Sequence, residues 1–219
     1  MTCENCNRKK NLLRDFGQCF KIFLEYARGL IKFRSLGPCI TIYGSARLQE
    51  ESKYYQLTVD LAKKLAETGF SVMTGAGPGI MQAANAGAYS TGKPRSAGCS
   101  IFIPYEEFSN PFLNFHHHCH FFFIRKVLLT RYSSGFIALP GGFGTLDELF
   151  EMLTLIKTER MKDFPVILFG SEFWQPLMHY IENTMMEYGT VTPEEIACIE
   201  ITDDIDHALA IIKNYCHEH

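Results

Sequence analysis

Three glycine-rich loops stand where predicted strands end, and their residue types suit the binding of an anion. Their sequences are Gly44-Ser45-Ala46-Arg47, Gly75-Ala76-Gly77-Pro78-Gly79 and Pro140-Gly141-Gly142-Phe143-Gly144-Thr145. Glycine lets the backbone approach an anion closely, and the free N–H groups and dipole of a following helix favour negative charge. One such loop is equally well explained as a tight strand-to-helix turn. Three of them favour a ligand that carries a phosphate group.

Glu148 follows the third loop by one helical turn. Thr145 and Glu148 have the spacing of a capping box, in which Thr145 caps a helix and Glu148 accepts from its backbone N–H. A carboxylate at an anion-binding helix end is also well placed to meet a sugar hydroxyl or a water molecule. Spacing alone favours the capping box.

Two better-known phosphate motifs do not fit this sequence. The 75–79 loop is shorter than the dinucleotide fingerprint G-x-G-x-x-G, and no clear acidic partner follows about 20 residues later. Residues 87–93 match most of a Walker A pattern, but Pro94 replaces the Ser or Thr that holds magnesium. That segment also follows a predicted helix instead of a strand. The sequence therefore indicates neither a dinucleotide cofactor nor a P-loop.

Short apolar segments alternate with longer segments of helical periodicity from residue 37 onward. Strands are predicted at 39–43, 70–74, 99–103, 135–139, 165–169 and 197–202, and helices at 53–68, 80–89, 125–133, 145–157, 172–188 and 203–215. Strands this uniformly apolar are typical of parallel strands covered on both faces. Repeated βα units predict one doubly wound, Rossmann-like parallel α/β sheet.

The N-terminal segment stands outside that pattern. Residues 7–34 are rich in Arg, Lys, Phe and Leu at helical spacing, and we expect one helix that packs across the domain or into a partner subunit. The predicted organisation is an N-terminal tail and helix at 1–36 and a single nucleotide-monophosphate-binding catalytic domain at 37–219. A domain of that length is ordinary.

Composition excludes several classes of protein. The 219 residues are 47% hydrophobic and 21% charged, close to the average for soluble globular domains. The formal charge of -3 argues against bulk nucleic-acid binding, which needs a basic surface. The longest apolar runs are far below the roughly 20 residues that cross a bilayer, and the N-terminus lacks a secretory signal. Eight scattered cysteines suit free thiols in a reducing compartment. We expect a cytoplasmic protein with no nucleic-acid or membrane partner.

The string PGGFGTLDE at 140–148 matches the P-G-G-x-G-T-x-x-E motif of the Lonely Guy (LOG) family, the cytokinin riboside 5'-monophosphate phosphoribohydrolases. The upstream GAGPGIMQAANAGA resembles the family's second glycine loop, and FFFIRKVLLTRYSSGFIALPGG resembles the segment with its Arg-Lys pair. The resemblance runs over roughly residues 38–215, and the added N-terminal helix is similar to the longer bacterial second type.

The resemblance implies hydrolysis of the N-glycosidic bond of a purine nucleoside 5'-monophosphate, AMP or an N6-modified derivative, to free base and ribose 5-phosphate. It implies no cofactor and no metal ion. Its catalytic residues fall on Glu148 and Arg125. Its substrate-binding positions fall on Ser45, Gly75, Gly79, Lys126, Gly141, Gly142, Gly144, Thr145, Asp147 and Thr154. A carboxylate suits this chemistry, because breaking a glycosidic bond develops positive charge on the sugar.

Two other groups of metal-ligand type draw attention. His116, His117, His118, Cys119 and His120 are of zinc-binding types, but adjacent side chains cannot all point one way and no second cluster completes a site. We expect an exposed or pocket-lining cluster there, with possible contact to substrate. Cys3-x-x-Cys6 is half a zinc ribbon or a redox pair in a polar tail, and we expect it to be incidental.

Other functions stay open from the sequence. A nonhydrolytic nucleotide or molybdenum-cofactor carrier of the same fold would also need a phosphate pocket, although it need not keep both Glu148 and Arg125. The label lysine decarboxylase, sometimes attached to this family, receives no support, because no pyridoxal-binding lysine can be placed. The family completes its active site across a dimer interface, so we expect a homodimer or a higher homo-oligomer.

Overall fold

A single parallel sheet organises the chain, and it confirms the predicted fold class. The computed structural model describes residues 12–93, 95–102, 110–161 and 164–218. Its strands are β1 Cys39–Tyr43, β2 Ser71–Thr74, β3 Ser96–Ile101, β4 Phe115–Cys119, β5 Gly135–Ala138, β6 Val166–Phe169 and β7 Ile199–Thr202. They lie in the order β4-β3-β2-β1-β5-β6-β7, and every neighbouring pair is parallel.

The helices cover both faces of this sheet. They are α1 Leu12–Phe33, α2 Lys53–Glu67, α3 Ile80–Tyr89, α4 Phe122–Arg131, α5 Phe143–Lys157, α6 Ser171–Tyr180, α7 Pro193–Ile196 and α8 Ile205–Glu218. The helix predicted at 172–188 ends at Tyr180 and continues as a π-helical turn, Ile181–Met185. No helix in the described ranges is both long and apolar enough to cross a bilayer.

Alternation along β1 decides which side chains face the candidate site. Ile40 and Ile42 point to the face that α2, α3 and α8 cover. Cys39 and Tyr43 point to the opposite face, where α4 and α5 pack. Because all five residues of β1 are buried, both faces need apolar side chains, which is why the strand reads as a continuous apolar run. Tyr43 therefore ends the strand with its ring directed towards α4 and α5.

The order of the strands opens a crevice between β1 and β5. The chain runs from β1 outward through β2, β3 and β4, and then returns to place β5 on the other side of β1. Loops that follow β1 and β5 consequently leave towards opposite faces, which is where ligands bind in open α/β sheets. Two backbone hydrogen bonds join these loops: Ser45 N–H donates to Pro140 O (3.0 Å), and Leu139 N–H to Tyr43 O (2.8 Å).

Residues 115–119 form an edge strand that the sequence analysis missed. The histidines of β4 alternate between solvent and core: His116 and His118 are exposed, while His117 and Cys119 are buried. Ser100 Oγ on β3 lies 2.7 Å from His116 Nε2 and 2.9 Å from His118 Nδ1. A half-exposed edge strand needs an apolar side chain only at every second residue. Because histidine lies on both faces of β4, the sequence does not show this alternation of apolar and polar residues.

Helix α1 is anchored on the element that carries Arg125. The carboxylate of Glu25 accepts from the backbone N–H groups of His120 (3.0 Å) and Phe121 (3.2 Å), at the start of α4. A carboxylate at a helix N-terminus is electrostatically favourable. The hydroxyl of Tyr132, at the other end of α4, donates to Leu30 O at 2.8 Å. The predicted N-terminal helix is thus present from residue 12, while 7–11 lie outside the described residues.

Candidate active site

A cavity of about 540 Å³ opens at the carboxyl ends of β1 and β5. Its wall consists of the end of β1 and the loop that follows, the beginning of α5, Phe122 and Arg125 of α4, and Met81 of α3. Cationic, carboxylate and apolar groups thus share one space. The volume is in the range of small-molecule sites.

The positive end of α5 faces this cavity. The helix begins at Phe143, its N-cap is Gly142, and no side chain caps it. Gly142, Phe143, Gly144 and Thr145 all line the cavity. Uncapped N–H groups and the helix dipole together make a site for an anion.

The capping box predicted for Thr145 and Glu148 is wrong. The N–H of Thr145 donates to Gly142 O at 3.0 Å, so Gly142 is the N-cap of α5 and Thr145 lies inside the first turn. Glu148 is therefore too far along α5 to reach the cap. Its side chain is turned instead towards α4 and the cavity.

Glu148 and Arg125 form a buried pair. Glu148 is 4% exposed, and its Oε1 lies 3.8 Å from Arg125 Nη1. Oε2 is buried and has no hydrogen-bond partner among the described residues. Burial raises the pKa of Glu148 to about 7, against the opposing influence of the Arg125 and Lys126 charges. The site thus contains a carboxyl group that ionises near neutral pH.

The Arg125 guanidinium is held by backbone from two strands. Its Nε donates to Cys99 O, at the middle of β3, at 2.9 Å. Its Nη2 occupies the space in which a Cβ of Gly75 would stand, just after β2. Gly75 does not itself line the cavity. The sequence analysis had assigned Gly75 to the substrate-binding set. In the structure, Gly75 instead leaves room for the guanidinium of Arg125.

Lys126 faces α5 instead of the cavity. Its Nζ lies 2.6 Å from Asp147 Oδ2 and 3.1 Å from Glu151 Oε2. Burial alone would lower the pKa of Lys126, but hydrogen bonds to these carboxylates raise it. Lys126 therefore remains an ammonium ion that joins α4 to α5, and of the three only Asp147 lines the cavity.

Gly79 and Gly141 lie behind the cavity wall. Gly79 has φ +65, and a Cβ there would overlap the carbonyl oxygen of Ser45. The same carbonyl accepts from the N–H of Ile80 at 3.0 Å, so Gly79 allows the loop after β2 to pack against the loop after β1. A Cβ on Gly141 would overlap Oγ1 of Thr145. Both glycines position residues that line the cavity.

Thr154 is not brought together with the other predicted site residues. Its hydroxyl donates to Phe150 O, one turn earlier in α5, at 2.7 Å. It lines a separate groove of about 220 Å³ with residues of the π-helical turn and α7. Within one chain, Thr154 has no access to the cavity beside Glu148.

Sequence reasoning missed two polar residues of the cavity, Arg47 and Tyr43. The N–H of Arg47 donates to Ser45 Oγ at 3.0 Å, and its side chain is exposed. A cation directly after a glycine-serine loop was a usable signal for a phosphate contact. Tyr43 gave no such signal, since it reads as the last residue of an apolar strand.

The sequence analysis expected the histidine cluster to be either exposed or pocket-lining. In the structure the cluster lies away from the cavity. None of residues 116–120 lines the cavity, and the exposed alternative describes His116, His118 and His120. Over the described parts of the chain, no group of three or more His, Cys, Asp or Glu side chains is arranged to hold a metal ion. Cys3 and Cys6 lie outside the described residues.

Comparison with known proteins shows the family to which this chain belongs. A family model described as "Possible lysine decarboxylase" matches residues 81–212. A cytokinin riboside 5'-monophosphate phosphoribohydrolase of Rhodococcoides fascians is 32% identical over 177 residues, 80% of this chain and 89% of that protein. The LOG enzyme of Oryza sativa subsp. japonica is 27% identical over 160 residues, 68% of this chain and 62% of that protein.

A solved structure shares the fold. The molybdenum cofactor carrier protein of Chlamydomonas reinhardtii superposes with a TM-score of 0.60 and 18% identity, over 82% of this chain and 98% of that one. At that identity the likeness concerns the fold alone. The family match and the bacterial relative are more specific, and the chain belongs to the LOG family.

The residues at the site do not fit the pyridoxal cofactor that a lysine decarboxylase requires. Such a cofactor is held as a Schiff base on a lysine, which needs a neutral amine. Lys126 is the lysine adjacent to the site, and Asp147 and Glu151 keep it protonated. No step of the chemistry below uses that cofactor.

Proposed function

We propose that this protein hydrolyses the N-glycosidic bond of purine nucleoside 5'-monophosphates and releases the free base and ribose 5-phosphate. The observation that carries the proposal is the buried Arg125–Glu148 pair beside the uncapped N-terminus of α5 in one cavity. The N-terminus of α5 suits a phosphate, and the Glu148 carboxylate suits the positive charge that develops on the sugar. The named activity of the bacterial relative supports the same reaction.

The phosphate lies at the start of α5. Backbone N–H groups of the 142–144 segment, the hydroxyls of Ser45 and Thr145, and the Arg47 guanidinium surround that end of the cavity. Arg47 extends the set that sequence reasoning assigned to the phosphate. Contacts of this kind fix the ribose relative to Glu148, and such orientation lowers the barrier to reaction.

Glu148 acts on the sugar. As the C1'–N bond breaks, its electron pair leaves with the purine and the sugar becomes oxocarbenium-like. The ionised carboxylate stabilises that charge and takes a proton from the water that attacks C1'. The hydroxide part of the water stays on C1' to give ribose 5-phosphate, and the departing base takes up a proton from solvent. Glu148 then gives up the proton that it took from the water and returns to its ionised form. Arg125 favours the ionised form of Glu148 against the effect of burial, and it donates a hydrogen bond to the departing base or the phosphate.

Purified protein incubated separately with AMP and isopentenyladenosine monophosphate tests the proposal. Chromatography should detect free base from the monophosphates and none from adenosine, because adenosine lacks the group that α5 binds. The ratio of the two rates then distinguishes nucleotide salvage from cytokinin activation. Release of base from adenosine at an equal rate would contradict the role given to the phosphate end of the cavity.

A nonhydrolytic carrier is the second candidate, and the fold shared with the molybdenum cofactor carrier favours it. A carrier needs the phosphate end of the cavity but has no use for a carboxyl that ionises near pH 7. No release of base from any purine or pyrimidine monophosphate, together with tight binding of molybdenum cofactor, would favour the carrier.

We infer that the active form is a homodimer or larger. Two phenylalanines of the cavity wall are exposed, Phe143 at 93% and Phe122 at 51%, and Phe123 and Val127 on α4 are also more than one-third exposed. Such a patch marks an interaction surface. Thr154 of α5 lines a separate groove, so the substrate contact that the family resemblance implies for it would need the cavity of a second chain.

Light scattering at micromolar concentration should give at least twice the 25.0 kDa of one chain. Phe123→Asp should reduce the mass to one chain, because burying a charge in an apolar interface is costly. A monomeric wild-type protein would contradict this assembly.

A further inference from the structure

A tyrosine hydroxyl is buried without a partner beside the candidate carboxyl group. Tyr43 is 6% exposed, and its ring stacks on Phe136 with centroids 5.7 Å apart and planes 13° from parallel. Phe136 packs in turn on Phe164. This stack restricts the ring of Tyr43, which lines the cavity. Within the described residues, Tyr43 Oη makes no hydrogen bond.

The groups around this hydroxyl come from three elements. Tyr43 lines the same cavity as Glu148 of α5 and Arg125 of α4. The charges of these two groups, of Glu151 on α5 and of the Cys99 thiol on β3 act on the phenol. Burial, with the Glu148 charge next in importance, raises the pKa of Tyr43 well above its ordinary value. The phenol consequently keeps its proton at neutral pH, where it acts as a neutral hydrogen-bond group.

An unpartnered donor and an unpartnered acceptor thus belong to residues that line the same cavity. Glu148 Oε2 is buried and lacks a donor, while Tyr43 Oη lacks an acceptor. Buried polar atoms without partners are rare in native proteins, because each loses its hydrogen bonds to water. Glu151 Oε2 is also buried without a hydrogen bond, but the Lys126 ammonium lies 3.1 Å from it and balances its charge, and Glu151 does not line the cavity. Glu148 is therefore the acceptor with the greater need.

We propose that Tyr43 is a positioning residue whose phenol O–H donates to the Glu148 carboxylate when that carboxylate is ionised. The inference rests on the proposed function for its catalytic meaning. A neutral Glu148 does not need the donor, whereas the ionised form gains a hydrogen bond by a small turn of its side chain. The pairing orients the carboxylate and favours its charged form at the pH at which it is used.

Two measurements that need no substrate test this pairing. A crystal structure at pH 9 should show Tyr43 Oη about 2.5–3.2 Å from a Glu148 oxygen, the range of a hydrogen bond. A separation beyond 4 Å at that pH would overturn the proposal. The second measurement is an NMR titration of protein with ¹³C-labelled glutamate, in which Glu148→Gln identifies the Glu148 signal by its loss.

Tyr43→Phe should move the Glu148 midpoint upward by about half a unit to one unit, because it removes a donor to the charged form. The activity limb of kcat/KM should move in the same direction. Tyr132→Phe is the matched control: it removes a phenol hydroxyl that donates to Leu30 O, and it should leave the Glu148 midpoint unchanged. An unmoved midpoint in folded Tyr43→Phe protein would overturn the pairing. Absence of base release by wild-type protein would instead contradict the proposed function. The NMR titration would still test the hydrogen bond between Tyr43 and Glu148, because it needs no substrate.

Discussion

Glu148→Gln should lower kcat by a hundredfold or more while the protein stays folded. Glutamine keeps the size and the hydrogen-bonding oxygen of the side chain but cannot carry the negative charge that faces the sugar. Arg125 would then lie beside a neutral amide, and neither the oxocarbenium-like charge nor the proton of the attacking water would have a partner. Because KM depends mainly on the phosphate contacts at α5, it should change much less than kcat.

Stability gives this prediction an independent check. Burial raises the pKa of Glu148 from an ordinary glutamate value to about 7. The folded state therefore binds more protons than the unfolded state between those two values, and this carboxyl costs stability as the pH rises through that window. Above pH 7 the cost is fully present, so Glu148→Gln should unfold at the same temperature as wild type at pH 8, or at a higher one.

Activity should have the opposite dependence on pH. Only the ionised carboxylate performs the proposed roles, so kcat should rise with pH through a midpoint near 7. Glu172→Gln is a suitable control, since it removes a carboxylate from an exposed ion pair with Lys53 and should leave this profile unchanged. Near-normal turnover by Glu148→Gln, or a rate that falls as pH rises through 7, would refute the assigned role.

The sequence predicted the sheet well because parallel strands have a simple pattern. Strands covered on both faces are mostly apolar, and β1, β2, β5 and β6 are buried at every residue. The edge strand β4 escaped because His116 and His118 face solvent while His117 is buried. A histidine tolerates either environment, so its presence carries little information about the period of a strand.

The sequence predicted which loops form the candidate site, but it did not predict how their side chains are arranged. Glycines after strands indicated an anion site, and the family motif indicated Glu148 and Arg125. Spacing could not reveal that Gly142 begins α5 and thereby moves Glu148 away from the cap. Nor could it show that Tyr43 ends a buried strand beside that carboxyl, because its neighbours at the site come from α4 and α5, about 80–110 positions later in the chain.

Gly75→Ala should lower kcat/KM about tenfold to a hundredfold with little loss of stability. The backbone of Gly75 has no positive φ, so alanine is compatible with its conformation. The added Cβ would overlap Nη2 of Arg125 and stand 3.0 Å from Met81 Sδ. Both neighbours are the ends of flexible side chains that can move aside. Displacement of the guanidinium breaks the bond from Nε to Cys99 O and separates Arg125 from Glu148.

A double-mutant cycle with Arg125→Ala shows whether the loss passes through the arginine. If Gly75→Ala acts only by displacing the guanidinium, it should cost almost nothing once that group is absent, and the double variant should match Arg125→Ala alone. Additive losses would mean that Gly75 acts on the substrate directly, as a wall of the pocket. Gly17→Ala, which adds a Cβ with no neighbour within 4 Å on α1, controls for the substitution itself. We expect the losses in kcat/KM to be non-additive and the melting temperature to be unchanged. The reason is that a Cβ on Gly75 would meet Arg125, whereas Gly75 itself does not line the cavity.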